Sequence, residues 1–325
     1  MNVHKPGSDE IVPFIAPRDE PIDESLLPAE ELNLDGVVEM ERRRSTKRAL
    51  MALRRPKALA GLIIVTVVVV MAVLAPLLAP YDPNKQDLLS VLQPPIFAGG
   101  SVHHILGTDA LGRDLLSRII FGSRVSLVVG VIAVVVSGVI GVIIGATSGY
   151  VGGIVDSAIM RIVDLQLSLP FLVLAIAVMA AFTASLQNVI TVLIISGWVS
   201  YARVVRAEVL SLREREFVDA ARALGCSNIQ VVRRHILPLL MSPVLVIATL
   251  QVGYMILTES SLSFLGLGVP ITTPTWGGIA ADGQDYLATA WWITTLSGFA
   301  IFLTVMSVNY LGDALRDVLD PTLEL

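Results

Sequence analysis

Acids, hydroxyls and histidines are scattered along this chain with few of the spacings that catalysis needs. His103 and His104 form its only close histidine pair. Adjacent positions, with no clustered cysteines and no H-E-x-x-H helix, make a poor ligand set, and no metal site is assigned. The serines lack a G-x-S-x-G turn and an obvious base partner. No G-x-x-x-x-G-K-[ST] phosphate cradle occurs, so nucleotide hydrolysis would have to come from another chain. No catalytic residue is assigned. The single cysteine, Cys226, rules out an internal disulfide framework. The polar stretch 211–238, SLREREFVDAARALGCSNIQVVRRHILP, is the segment with the most to say, because it lies between two long apolar runs.

Local signals in that stretch describe two short helices and a sharp turn. Ser211 with Glu214, and Ser227 with Gln230, each fit the S-x-x-E/Q capping box. Gly225 falls where a left-handed helix terminus belongs. Pro238 disfavours helical geometry at Leu237 and is expected to end the second helix. The first helix would place Phe217, Ala220, Ala221 and Leu224 on one side, with Arg213, Arg215 and Arg222 largely elsewhere. Such an apolar stripe needs a partner surface.

Composition supplies the setting. Hydrophobic residues make up 54% of the chain and mean hydropathy is +0.75, which indicates a membrane protein rather than a soluble domain. Six apolar stretches are expected to span: 58–79, 125–146, 167–182, 189–205, 240–264 and 290–311. The first, 22 residues, would reach about 33 Å against a hydrocarbon core of about 30 Å. With the amino terminus inside, Lys85, Arg113, Arg118 and Arg124 are the only basic residues outside, and the other 19 of 23 lie inside. Basic residues favour the cytoplasmic side, so both termini and the 211–238 loop are expected there, in the cell membrane.

Residues 1–41 hold eleven acids and two bases, an acidic leader with too little apolar surface to build a core and expected to be disordered. Residues 42–57 carry eight bases and no acid, which suits anionic lipid and not nucleic acid. No cleavable signal peptide is expected, because the first apolar run starts late and is long. The first span (58–79) leads to an extracytoplasmic segment, 80–124, then a five-helix core, 125–312, and a cytoplasmic tail, 313–325. In the second span Gly141, Gly145 and Gly149 recur on one face and invite close helix packing. The run Gly149–Gly153 reads as a break, followed by Asp156, Arg161 and Asp164 at a hydrated end. Glu259 lies in an apolar run, where a carboxylate must face protein or water. A structural partnership and a place lining a solute path are both open for it. Gln251, and Asp282 and Asp285 in the segment 269–287, are the other candidates for a path or outer gate.

Asp219-Ala220-Ala221, then Gly225, then Ile236-Leu237-Pro238 resemble the EAA loop of ABC importer permeases, with Asp219 where that motif usually has Glu. The segment 103–127, through Leu106-Gly107-Thr108-Asp109 and Leu111-Gly112-Arg113-Asp114, is similar to the approach to the second span in the dipeptide, oligopeptide and nickel branch. So is Thr258-Glu259-Ser260-Ser261-Leu262-Ser263-Phe264-Leu265-Gly266-Leu267-Gly268 at the end of the fifth span. The resemblance covers roughly residues 45–325. It implies an all-α, six-span permease of type I ABC importer architecture, with no cofactor of its own. It further implies a second permease subunit, two ATPase domains carrying ATP and Mg, and an extracytoplasmic binding protein. The loop would be the ATPase-coupling element, through Phe217, Asp219, Ala220, Ala221, Leu224, Gly225, Ile236, Leu237 and Pro238. Dipeptides or oligopeptides are the expected cargo, with nickel or another small solute as the alternative. A secondary transporter or channel without an ATPase predicts buried ionisable relays, of which the spans offer little beyond Glu259 and Gln251. A membrane-embedded hydrolase lacks a nucleophile and base.

Overall fold

Among the described residues, the first helix begins at a proline. Helix α1 (Pro56–Val73) carries Pro56 at its first position, where the missing N–H would have had no intrahelical partner. The computed structural model describes residues 55–181 and 185–319, all within one unit, Thr46–Leu325. The acidic leader, most of the basic segment, Phe182 and the last six residues of the tail lie outside the described residues. After a break at Leu74, a short α2 (Ala75–Leu78) leads into irregular chain.

Helix α3 (Leu115–Val151) is capped by Asp114, whose side chain accepts from the Ser117 N–H at 2.8 Å. Its 37 residues reach about 56 Å at ~1.5 Å per residue, well beyond a bilayer core. The apolar turn at Leu115, Ile119 and Ile120, which falls in the expected extracytoplasmic segment 80–124, belongs to the same continuous helix as the expected second span, and all three side chains are buried. Nothing between Asp114 and Arg124 interrupts the ladder: Arg113 and Arg118 find partners inside the protein, and Arg124 is exposed.

Gly152, with φ of 68°, ends α3 and starts α4 (Gly153–Ser168). The expected span 167–182 is not one helix. Leu169 is extended, as a residue before proline prefers, and α4 meets α5 (Phe171–Ala181) at a 90° bend around Pro170. Helix α6 (Leu186–Leu212) starts at a Ser185 cap. It is followed by α7 (Glu216–Ala223), α8 (Asn228–Val231), a π-helical turn (Val232–Ile236) and α9 (Leu237–Phe264). Thr275 caps α10 (Trp276–Asp282), and α11 (Trp292–Leu319) closes the fold. Five helical stretches are long and apolar enough to cross a membrane, and the bent α4–α5 pair makes a sixth candidate. The described residues form no sheet, only an isolated bridge between Thr108 and Asp114.

Helices α3 and α6 make the most extensive contact. Gly141, Gly145 and Gly149 face the carbonyls of Trp198, Ala202 and Arg206 in step, each so close that an added Cβ would come within 3.0 Å. Small residues every four positions let the two backbones approach where lipid supplies no hydrophobic drive. One buried core, with Val129, Val192, Leu193 and Met255, joins α3, α5, α6 and α9. A second gathers Leu115, Ile256, Trp276 and Ile293 at the head of α3. A third lies at the opposite end of α3, under α7 and α8.

Candidate functional site

Helices α7 and α8 form an elbow between α6 and α9. The turn between them is closed by the Gly225 N–H donating to the Arg222 carbonyl at 2.9 Å and the Cys226 N–H to the Ala221 carbonyl at 3.1 Å. These are the two bonds of a Schellman motif, and Gly225 supplies its left-handed residue at φ 83°. Ser227 and Gln230 then make a reciprocal capping box that starts α8.

The expected box at Ser211 and Glu214 does not form, because α6 runs through Ser211 to Leu212 and α7 starts at Glu216, after an Arg215 N-cap that makes no side-chain bond. Nor does Pro238 end the second helix. Leu237 is helical (φ −56°, ψ −40°), and the chain passes from α8 through the π turn into α9. Proline removes one donor and crowds the carbonyl four residues back, and the wider π turn just before it gives that carbonyl room. The elbow is therefore joined to α9 by continuous helix.

Val218 and Ala221 point into the bundle and share a buried cluster with Val205, Val209, Ile236 and Leu240. The buried stripe of α7 is thus Val218 and Ala221, and not the expected set around Ala221. Phe217, Ala220 and Leu224 turn outward, Leu224 with 85% exposure, alongside Ile229 of α8 with 78%. Asp219 is exposed and pairs with Arg222 at 3.3 Å. Arg222 lies 5.7 Å from the centre of the Tyr150 ring, and the Tyr150 hydroxyl donates to the Asn228 side chain at 2.9 Å. Tyr150, with the charge of Asp219, pushes the Arg222 pKa above its ordinary value, so the group stays cationic. Gly225 and Pro238 are exposed, Leu237 half-buried and Ile236 buried. Nearby, Arg206 on α6 holds Asp156 of α4 with two nitrogens, Nε at 2.5 Å and Nη2 at 2.6 Å, and Ser148 donates to the same carboxylate. Arg213 donates to the Gly149 carbonyl at 2.9 Å. Asp156 therefore serves as a helix-to-helix tie within the protein, where sequence suggested a hydrated charge.

The other end of α3 carries a buried charge network. Asp109 accepts from Arg113 Nε at 2.6 Å and pairs with Arg118, and Asp282 of α10 accepts from Arg113 Nη2 and Arg118 Nη1, each at 2.9 Å. Trp276 and Trp292 brace it, donating to the carbonyls of Ile119 and Thr108. Asp282 is thus brought to α3, whereas Asp285 is exposed and has no ion pair among the described residues. Glu259 is fully buried and accepts from Ser126 of α3 at 3.2 Å, Ser260 at 3.3 Å and Ser263 at 2.8 Å. No cationic side chain pairs with it among the described residues. Gln251 is half-buried on α9, away from both groups and without a side-chain hydrogen bond among the described residues.

Long apolar helices packed through glycine stripes, with buried ion networks at one end and a helical elbow at the other, define a multi-pass membrane transport component. The chain belongs to the family described as binding-protein-dependent transport system inner membrane components, the permeases of ABC importers, whose profile matches residues 141–325. Residues 48–95 match the N-terminal transmembrane domain of oligopeptide transport permease C. The di/tripeptide transport system permease protein DppC of Pseudomonas aeruginosa is 41% identical over 82% of this chain and 88% of its own length. The dipeptide transport system permease protein DppC of Escherichia coli is 44% identical over 83% of this chain and 91% of its own. An inward-facing methionine ABC transporter, MetNI, aligns with TM-score 0.47 and 21% identity over 59% of this chain and 94% of that one.

Proposed function

We propose that this chain is one of two permease subunits of an ATP-driven importer of dipeptides or longer oligopeptides. The elbow is its coupling element. It seats in a groove on an ATPase subunit, which carries the ATP and Mg, and an extracytoplasmic binding protein delivers cargo to the opposite end. Closure of the ATPase pair moves the elbow, and α6 and α9, attached to its two sides, exchange an inward-open for an outward-open path.

The observation that carries this reading is the elbow's division into two faces. Val218, Ala221 and Ile236 lock it to the bundle, so that it moves as one piece with α9. Phe217, Ala220, Leu224 and Ile229 remain uncovered, an apolar set flanked by Asp219 and Arg222. The relatives named for peptide transport support the cargo class.

The test is reconstitution with the companion subunits in liposomes, where labelled dipeptide uptake should require ATP and the binding protein. Uptake by the pure chain without an ATPase would overturn the proposal. Orientation has its own assay, because Cys226 is the single cysteine and lies in the elbow. A membrane-impermeant thiol reagent should label it in whole cells only after permeabilisation.

A further inference from the structure

A cavity of ≈ 520 Å³ opens between the head of α3, the loop that follows α9, and α10. That volume lies within the ~300–1,000 Å³ usual for small-molecule sites. Its walls are charged with opposite sign. Arg113 and Arg118 of α3 line one side, and Asp282 and Asp285, one helical turn apart, line the other. The walls are closed on each other through the two 2.9 Å contacts of Asp282. Arg118, with 2% of its side chain exposed, also carries a buried Nε with no acceptor. A buried donor without a partner is costly, and here it belongs to a group that already lines a cavity.

We propose that this cavity is a subsite for the charged termini of a zwitterionic peptide, the carboxylate taken by Arg113 and Arg118 and the ammonium by Asp282 and Asp285. The inference rests on the peptide-import reading above and adds a place of contact to it. In the structure Asp282 occupies the position that the peptide carboxylate takes. Exchange is nearly even, because each wall gives up a charged partner and receives one of the same sign. A solute with a blocked carboxylate leaves the buried Arg113 and Arg118 only Asp109 to share, and one with a blocked amine leaves Asp282 without the cations it had, so either block should weaken binding. The site therefore reads the two groups that all unmodified peptides share, which suits a path that must pass cargo of varied side chains. Ser263 lines the same cavity and donates to Glu259, so the subsite is joined to the buried carboxylate of α9.

The experiment uses the complete permease–ATPase complex in nanodiscs without the binding protein. Binding of tritiated Ala-Ala is competed by Ala-Ala, by N-acetyl-Ala-Ala and by Ala-Ala amide. The expected result is saturable binding in which each blocked peptide competes at least tenfold more weakly. Asp285→Asn, at an exposed position with no ion pair to lose, should reduce the preference for a free amine, and Arg113→Lys the preference for a free carboxylate. Absent saturable binding, equal competition by the blocked peptides, or unchanged preferences in both variants would overturn the inference. A network that only braces the fold predicts a lower melting temperature for Arg113→Lys with peptide preference intact. ATP-driven uptake of dipeptide by the same complex, measured in parallel with binding protein, separates the two levels. If uptake is present and terminal preference absent, the subsite alone fails, and if uptake is absent the functional reading fails with it.

Discussion

The carbonyl oxygen of Ala202 stands 2.5 Å from the point where residue 145 would carry a Cβ, so only glycine fits there without displacing backbone. Gly145→Ala should therefore separate α3 from α6, at a cost of about 1–3 kcal/mol typical of overpacking. Gly298 of α11 has open space at the same test position, and Gly298→Ala should be neutral or raise stability by about 0.5–1 kcal/mol. Melting temperatures of the two variants in one detergent check the contrast.

The outward face of the elbow offers a cleaner probe of coupling than its core. Leu224→Ala and Ala220→Asp alter exposed positions and should leave the melting temperature of the isolated chain nearly unchanged. Uptake by the assembled complex should fall at least tenfold. Ala221→Asp buries a charge among Val209, Val218 and Ile236 and should lower stability as well as uptake. Wild-type uptake in both exposed variants would count against the docking role.

Gly225 holds a left-handed backbone that costs a residue with a side chain roughly 1–2 kcal/mol. No atom outside its immediate neighbours lies within 4 Å of the site of an added Cβ, so the penalty there is conformational and not steric. Stability should rank Gly above Asn, Asn above Ala, and Ala above Val at position 225. Thermal unfolding of the four variants tests the order, and equal stabilities would remove the Schellman turn from the account.

Arg206 and Asp156 tie α6 to the bent α4–α5 segment through a bidentate, partly buried pair. Asp156→Asn should cost about 1–3 kcal/mol, since charged hydrogen bonds of this kind contribute roughly that much. Arg206→Lys should cost nearly as much, because an ammonium cannot reproduce the fork. A double-mutant cycle should give a coupling energy clearly different from zero. Additive losses would mean the pair contributes nothing beyond its parts.

Glu259 accepts from three serine hydroxyls, groups that can also turn to accept a hydrogen bond from an amide N–H. Glu259→Gln should accordingly fold well. Glu259→Ala should lose about 2–4 kcal/mol, as a cavity opens and hydroxyls are left unpaired. Uptake by Glu259→Gln then separates the two roles left open for this residue. Wild-type rates mark a structural partner, and a stable but inactive variant marks a group on the path.

What the amino-acid order determined by itself was whatever depends on residues within one or two turns. The apolar runs, the glycine spacing on α3, the capping box at Ser227 and the left-handed turn at Gly225 all follow from contacts between near neighbours along the chain. The start of α3 at Leu115 was masked by the charges of Arg113 and Arg118, which read as solvated until Asp282, 164 residues beyond Arg118, was brought against them. Tertiary packing alone decided that Val218 and not Phe217 faces inward, that helix continues past Pro238, and that Ser126 reaches Glu259 across 133 positions. The reason is physical. Backbone geometry and capping are settled by local sterics and hydrogen bonds, whereas burial and charge pairing depend on which distant surface arrives, and that is a property of the whole bundle.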